Sequence, residues 1–407
     1  MTRHLQLLAA LAAAAALALP ITASAQEAPG TFKIPGTNTT LTLNGFAQVY
    51  GTYDISGRVN DIENLDWASI VFAQPLDGSV QESEHGVTYL TARTTRVGFQ
   101  TSTPTAMGPL GVRVEGDFNG PNGFQGQSYT NSVLFRLRHA YGTLHGFLVG
   151  QTWTQFLDFP SSPDTVDFNG PGSVALVRQT QIRYTYESGP VSVGVSAENP
   201  HNFNTGHIPD FVVKVGYSPK WGSAGLALVT NQYRYTKPGD DLNSSTVQGF
   251  GVALSGSYKL LKNDSIQGLF VFGNGLGRYL FNAGANVAGA DTSGNLKLWQ
   301  ATAYHLGYTH VWNDRVRSNV VWSQTFFNRN GIDEAGLAAT DTYTGGGGEA
   351  TLAPNKRIDQ LFLNSFYGVS KSFELGLEYE LGRRVTFVGD NKGSEDRITA
   401  NATYKFF

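Results

Sequence analysis

The chain has 407 residues, a formal net charge of -3, 48 Gly, 25 Phe, 18 Tyr and 6 Trp. It has no Cys, which excludes disulfides, thiolate metal sites and cysteine nucleophiles. No basic cluster supports nucleic-acid binding.

Thr2, Arg3 and His4 give a short basic start, and Leu7 to Leu19 is a run of Ala and Leu alone. Ala23, Ser24 and Ala25 form a small-residue cleavage site, so residues 1–25 read as a secretory signal peptide to be excluded from the fold. The apolar run is too short for a stable membrane span. After Leu19 no apolar run approaches ~18 residues, which leaves no transmembrane helix. The mean hydropathy of -0.20 is compatible with a membrane barrel, in which only every second residue meets lipid. Residues 26–38 are a short N-terminal segment containing Pro29 and Pro35.

From residue 39 onward the segments alternate with period two. Leu41, Leu43, Ala47, Val49 and Tyr53 share one face of a strand, with Asn44, Gln48 and Tyr50 on the other. A long stretch from Ile55 to Leu90 precedes a strand over Thr91–Ser102 and a tight turn over Pro104–Gly108. Leu110 to Phe118 sets Leu110, Val112, Val114 and Phe118 against Arg113, Glu115 and Asp117. Ser132–Leu144 and Phe147–Phe156 form a hairpin at His145-Gly146, and a loop with three Pro and two Gly runs from Leu157 to Ala175. The rhythm continues to the C-terminus and predicts about sixteen strands, with seven short turns interleaved with eight longer loops. Short periplasmic turns and long extracellular loops characterise a transmembrane antiparallel β-barrel, so the fold is predicted as all-β. Aromatics near the turns, including Tyr217, Trp221, Tyr258, Trp312 and Phe373, suit an interfacial girdle. In the last strand Ile398, Ala400, Ala402, Tyr404 and Phe406 share the apolar face, with Phe407 out of phase. Tyr404, Phe406 and Phe407 resemble the C-terminal signal read by the bacterial outer-membrane assembly machinery.

Several motifs point further. They are Thr39-Thr40-Leu41-Thr42-Leu43-Asn44-Gly45, Thr95-Arg96-Val97-Gly98-Phe99, Phe135-Arg136-Leu137-Arg138-His139-Ala140-Tyr141-Gly142 and Gly150-Gln151-Thr152-Trp153. Pro163 to Pro171 and Arg178-Gln179-Thr180-Gln181-Ile182-Arg183-Tyr184 follow. Together they resemble the DcaP-like outer-membrane porins, densely from Thr39 to Tyr186 and thinly afterwards. The resemblance implies a homotrimeric sixteen-stranded porin of the bacterial outer membrane, passing small organic anions that include carboxylates. It implies no cofactor and no catalytic step.

Sixteen strands enclose a water-filled lumen rather than a packed core, so the inward faces should carry function. Arg96, Arg113, Arg136, Arg138 and Arg183 fall on polar-facing positions, and residues two apart leave a strand on one face. Guanidinium groups stay charged and offer a planar fork to carboxylates. A ladder of them would pass anions from site to site, unless Glu115, Asp117 and Glu198 consume them structurally. By likeness to general porins, the loop 157–175 is expected to fold inward and constrict the pore, setting Asp158, Asp164 and Asp167 against the arginines. Glu374, Glu378 and Glu380 form a second inward, acidic set. The alternatives are a general or weakly cation-selective porin, a barrel enzyme, or an adhesin using the loops Ile55–Leu90 and Asn328–Lys356. The histidines lack metal-ligand spacing, and His305 and His310 are five apart, on opposite faces.

Overall fold

The structure, a computed structural model, describes residues 30–58, 74–120, 134–200, 208–236, 244–281, 287–332, 355–387 and 389–406. Residues 1–25, expected from the sequence to be a signal peptide, and Phe407 lie outside the described residues, as do His201 and His207.

The first strands are β1 (Thr31–Lys33), β2 (Thr40–Ser56), β3 (Val87–Thr91), β4 (Arg96–Thr105), β5 (Gly108–Asp117), β6 (Arg136–Leu144) and β7 (Phe147–Trp153). Then come β8 (Arg178–Ser188), β9 (Val191–Glu198), β10 (Asp210–Tyr217), β11 (Gly222–Thr236), β12 (Ser244–Lys259) and β13 (Asp264–Asn274). The rest are β14 (Ala288–Ala290), β15 (Leu296–Leu298), β16 (Gln300–Asn313), β17 (Val316–Asn328), β18 (Asn355–Ser370), β19 (Phe373–Thr386) and β20 (Lys392–Lys405).

β2 pairs with β4 along Thr40–Phe46 and with β3 along Tyr50–Asp54. The single strand predicted over Thr91–Ser102 is therefore part of one barrel strand built from β3 and β4, interrupted between Thr91 and Arg96. Antiparallel pairing then follows chain order, and β20 returns to β2 from Phe46↔Lys405 to Ser56↔Asp396. The barrel closes with sixteen antiparallel strands, while β14 and β15 form a separate hairpin. Closure removes the unpaired edges of an open sheet. The short N-terminal segment contributes β1, which pairs with the start of β2. The hairpin between β6 and β7 turns through His145 (φ 49°) and Gly146 (φ 82°), the two positive φ angles that a two-residue turn needs.

The outer face is apolar. Phe250 and Leu254 on β12, and Leu306 and Tyr308 on β16, are exposed, while Ala253, Ala303 and His305 on the opposite face of the same strands are buried. At the turn ends Trp221 lies 6.3 Å from Tyr217 and 5.7 Å from Tyr258, ring to ring.

The interior departs from a uniformly water-filled lumen. Val212, Ala227, Val229, Ala253, Leu269, Val271, Ala301 and Ala303 alternate with the exposed residues of β10–β16 and form a buried apolar core on the inner face. Phe156, Leu157, Val174 and Ala175 from one loop, and Leu276, Tyr279, Leu280 and Trp299 from another, complete it. Sixteen strands make room for these loops, and apolar inner residues bury against them instead of against water.

The closing seam is ionic. Arg397 of β20 is fully buried, with its Nε 2.6 Å from Asp54 Oδ1 on β2 and its Nη2 3.1 Å from Glu395 Oε1. Removing one partner of a buried pair leaves an uncompensated charge, at a cost of about 3–5 kcal/mol. Arg397→Leu should therefore lower the barrel's heat-denaturation midpoint, read by the shift between folded and unfolded bands in detergent gels. A midpoint equal to the parent's would mean that water replaces the guanidinium at the seam.

Candidate functional site: the arginine wall and the inward loop

On β5, Arg113, Glu115 and Asp117 occupy the inner face, while Val112 faces outward and is exposed. Their neighbours on β6 are displaced by a bulge. Glu115 pairs with His139 and Gly116 with Leu137, so Arg138 is an extra residue opposite no partner. The bulge lets both Arg136 and Arg138 reach one carboxylate. Arg136 forks onto Asp117 through Nε–Oδ1 (2.9 Å) and Nη2–Oδ2 (2.8 Å), and Arg138 Nη1 donates to Asp117 Oδ2 at 2.6 Å. Arg138 Nε also donates to Glu115 Oε1 at 3.2 Å, and Arg113 Nη2 to Glu115 Oε2 at 2.7 Å. Arg96 of β4 stands 3.5 Å from Glu115 and 5.1 Å from the Phe46 ring.

The two carboxylates are used up in these pairs. Asp117 is 0% exposed and Glu115 3%, whereas Arg136 keeps 30% and Arg113 37% of side-chain exposure. A fifth arginine, Arg178 at the start of β8, lies 4.2 Å from the Trp153 ring and has no carboxylate partner among the described residues. Arg138 approaches the same ring at 5.7 Å. Arg96, Arg113, Arg136, Arg138 and Arg178 thus set five guanidinium groups against Glu115 and Asp117, a surplus of three positive charges. Arg183 stands apart, donating to Gln181 Oε1 at 2.9 Å and to the Trp153 carbonyl at 2.6 Å. Glu198 is likewise separate from the cluster, bonded to Gln179, Ser196 and the Gln155 amide.

The segment Leu157–Ala175 crosses to strands far away in sequence. Lys214 Nζ of β10 donates to the Leu157 carbonyl at 2.8 Å and to Asp158 Oδ1 at 2.6 Å. His305 of β16 joins the loop's two arms, with Nε2 2.8 Å from the Ser161 carbonyl and Nδ1 2.8 Å from Ser173 Oγ. On β18, Asn364 Nδ2 donates to the Asp164 carbonyl at 3.0 Å and Gln360 Oε1 accepts from the Gly172 amide at 3.1 Å. On β19, Glu378 Oε1 accepts from the Asp167 amide at 2.6 Å. Glycines in the wall make space for it. A Cβ at Gly307 would stand 2.5 Å from Pro163, and one at Gly376 2.9 Å from Val166. At the tip, Phe168 comes within 5.7 Å of the Arg138 guanidinium and packs on Tyr50 and Tyr89.

The three loop aspartates do not line up against the arginine ladder. Asp158 pairs with Lys214, and Asp164 with Arg317 (3.0 Å), which also binds Glu374 at 2.6 Å. Asp167 lies buried beside Glu378, Glu380 and Arg397. Each loop acid meets a wall cation before it can face β4–β6: Asp158 meets Lys214 of β10, Asp164 meets Arg317 of β17, and Asp167 lies near Arg397 of β20.

Burial pushes the Asp167 carboxyl up to about 6, although the Asn169 amide donates to it at 2.7 Å. A raised folded-state value means that docking is strongest below the ordinary Asp value near 4 and weakens as pH rises through about 6. The shift corresponds to at most about 3 kcal/mol. The heat-denaturation midpoint should fall between pH 4 and pH 6, and Asp167→Asn should flatten that part of the profile. An unchanged slope in the variant would assign the effect to other groups.

The roles of Arg178 and of the docking residues His305, Gln360 and Asn364 were not legible in the sequence. Arg178 opens a motif quoted above, but its role depends on standing directly opposite Trp153, which strand parity alone does not announce.

A closed sixteen-stranded barrel with an apolar outer face, and with loops folded onto its inner wall, is the architecture of a porin-type channel in an outer membrane. The family model for the DcaP outer membrane protein matches residues 14–406, and the chain belongs to that family. The structure resembles the outer membrane channel DcaP of Acinetobacter baumannii, with a TM-score of 0.75 at 24% identity, covering 92% of this chain and 99% of that one. An anion-selective porin from Comamonas acidovorans matches with a TM-score of 0.57 at 14% identity, covering 90% and 100% of the two chains. The trimer form of OmpT from Vibrio cholerae matches at 0.56 and 12%, covering 90% and 99%. No curated protein matches the chain.

Proposed function

We propose that this outer-membrane channel admits small hydrophilic solutes by passive diffusion and prefers small organic anions, carboxylates among them. The observation that carries the reading is the surplus of guanidinium groups over carboxylates at Arg96, Arg113, Arg136, Arg138 and Arg178. Glu115 and Asp117 hold the arginine side chains in place, and the exposed edges of Arg113 and Arg136 remain for a passing anion. A guanidinium fork matches a carboxylate, and several in a row offer hand-over without tight binding. The loop 157–175 acts as the constriction, with Asp158, Asp164 and Asp167 serving mainly to dock it. Arg183 shapes the wall rather than meeting solute.

In this reading residues 1–25 are a signal peptide, and the mature chain is inserted by the barrel-assembly machinery through a signal at Tyr404, Phe406 and Phe407. It works as a homotrimer in lipid and performs no catalysis. The likeness to an anion-selective porin and to a trimer-forming OmpT agrees with this reading at the level of fold. A second reading has one observation in its favour. Asp117 holds both Arg136 and Arg138, as it would if the arginines were structural in a general or weakly cation-selective pore. The reversal potential of the parent channel under a salt gradient in a planar bilayer separates the two: anion preference supports the first, and a zero or cation-sided potential the second.

A further inference from the structure

Beyond the arginine wall, the segment Gly275–Phe281 leaves β13 and lies on the inner face of the barrel. Leu276 sits where two wall glycines leave room, since a Cβ at Gly251 would stand 2.5 Å, and one at Gly273 2.9 Å, from Leu276 Cδ2. Tyr279 follows in a short 3-10 turn, fully buried, with its ring 5.8 Å from that of Phe156. Its hydroxyl meets Gln179 Nε2 of β8 and Asp210 Oδ2 of β10, each at 2.9 Å. Arg278 Nη2 donates to the same Asp210 oxygen at 3.0 Å. The Phe281 amide donates to the Val174 carbonyl at 2.9 Å, joining this segment to the returning arm of the loop 157–175. Underneath lie inward-facing apolar side chains, among them Val212, Val229, Leu269 and Val271.

We propose that Gly275–Phe281 is a second inward loop, anchored by Tyr279, which seals the apolar inner face of β10–β13 and confines solutes to the path along the arginines. An apolar inner face has no use in a polar pore, but it makes a seat for a plug, and the two glycines fit Leu276 there. Tyr279 is a positioning residue: it touches wall and loop rather than solute. Two loops tied main chain to main chain then set the pore cross-section together. The selectivity part of the inference rests on the proposed role of the arginines, while the conductance part does not.

The test uses Tyr279→Ala combined with Leu280→Ala in the full-length channel, measured in planar bilayers beside the parent. Single-channel conductance should rise, and the anion-to-cation permeability ratio should fall, because a second path opens that is not lined by arginine. A rise in conductance with a parent that shows no anion preference would keep the plug and discard the arginine reading. Parent-like conductance in a variant with parent-like heat resistance would overturn the plug. Should the double variant fail to fold, Leu280→Cys decides, since the chain has no other cysteine. A membrane-impermeant maleimide should label it far more slowly in the folded channel than in denatured protein. Labelling at the denatured rate would show Leu280 facing open water and overturn the proposal.

Discussion

Replacing Arg136 and Arg138 together by Gln should lower the anion-to-cation permeability ratio several-fold, and should reduce uptake of small carboxylates more than uptake of neutral sugars. Both side chains bind Asp117, so the change removes two positive charges and releases one carboxylate. The five-to-two surplus becomes three arginines (Arg96, Arg113 and Arg178) against Glu115 and Asp117. An ion about 4 Å from a unit charge gains about 1 kcal/mol in bulk water and about 4 kcal/mol at an effective dielectric near 20. Two lost charges therefore change the local preference by at least about 2 kcal/mol before screening. The screening length of about 8 Å at physiological salt is comparable to a narrow lumen, so the loss extends across it. Asp117, fully buried and stripped of its partners, will draw in water or a cation, which pushes selectivity the same way. The decisive measurement is the reversal potential of a variant with parent-like heat resistance. A value equal to the parent's would make these two arginines structural and remove the main support for an anion channel.

The barrel was readable in the sequence because its signal is local. Period-two alternation, turn chemistry such as His145-Gly146 and an apolar final strand each lie within a few residues, and closure follows from pairing neighbours in order. What escaped depends on contacts across the barrel. The break between β3 and β4 is set by β2 pairing with both. The bulge at Arg138 shifts the register of β6, so spacing alone gave the right face but not the shared grip on Asp117. The segment 157–175 was conspicuous for its prolines and aspartates. Its seat was not, because Gly307, Gly376, His305 and Gln360 come from strands more than a hundred residues away. The apolar inner face was hidden for a similar reason. Val229 or Val271 in an alternating strand looks no different whether the second face meets water or a loop.

Shortening the inward loop, by replacing Ser161–Gly172 with a brief Gly-Ser link, should give the largest rise in single-channel conductance of any change considered. The loop tip reaches from β19, where the Asp167 amide meets Glu378, to within 5.7 Å of Arg138 on β6. It therefore stands between the arginine wall and the wall of β16–β19, and its removal widens the section that sets resistance. The docking bonds lost are mostly single hydrogen bonds to loop carbonyls and amides, each worth about 1 kcal/mol net, and the sixteen-strand ladder is untouched. Glu378, Asn364 and Gln360 would lose their loop partners but gain water, so the expected outcome is a folded, less heat-resistant and more conductive barrel. Selectivity should fall as conductance rises, because solutes would pass farther from Arg113 and Arg136 than the screening length of about 8 Å allows those charges to act. Unchanged conductance in a correctly folded variant would mean that current flows clear of the loop, and that the narrowest section lies elsewhere in the barrel.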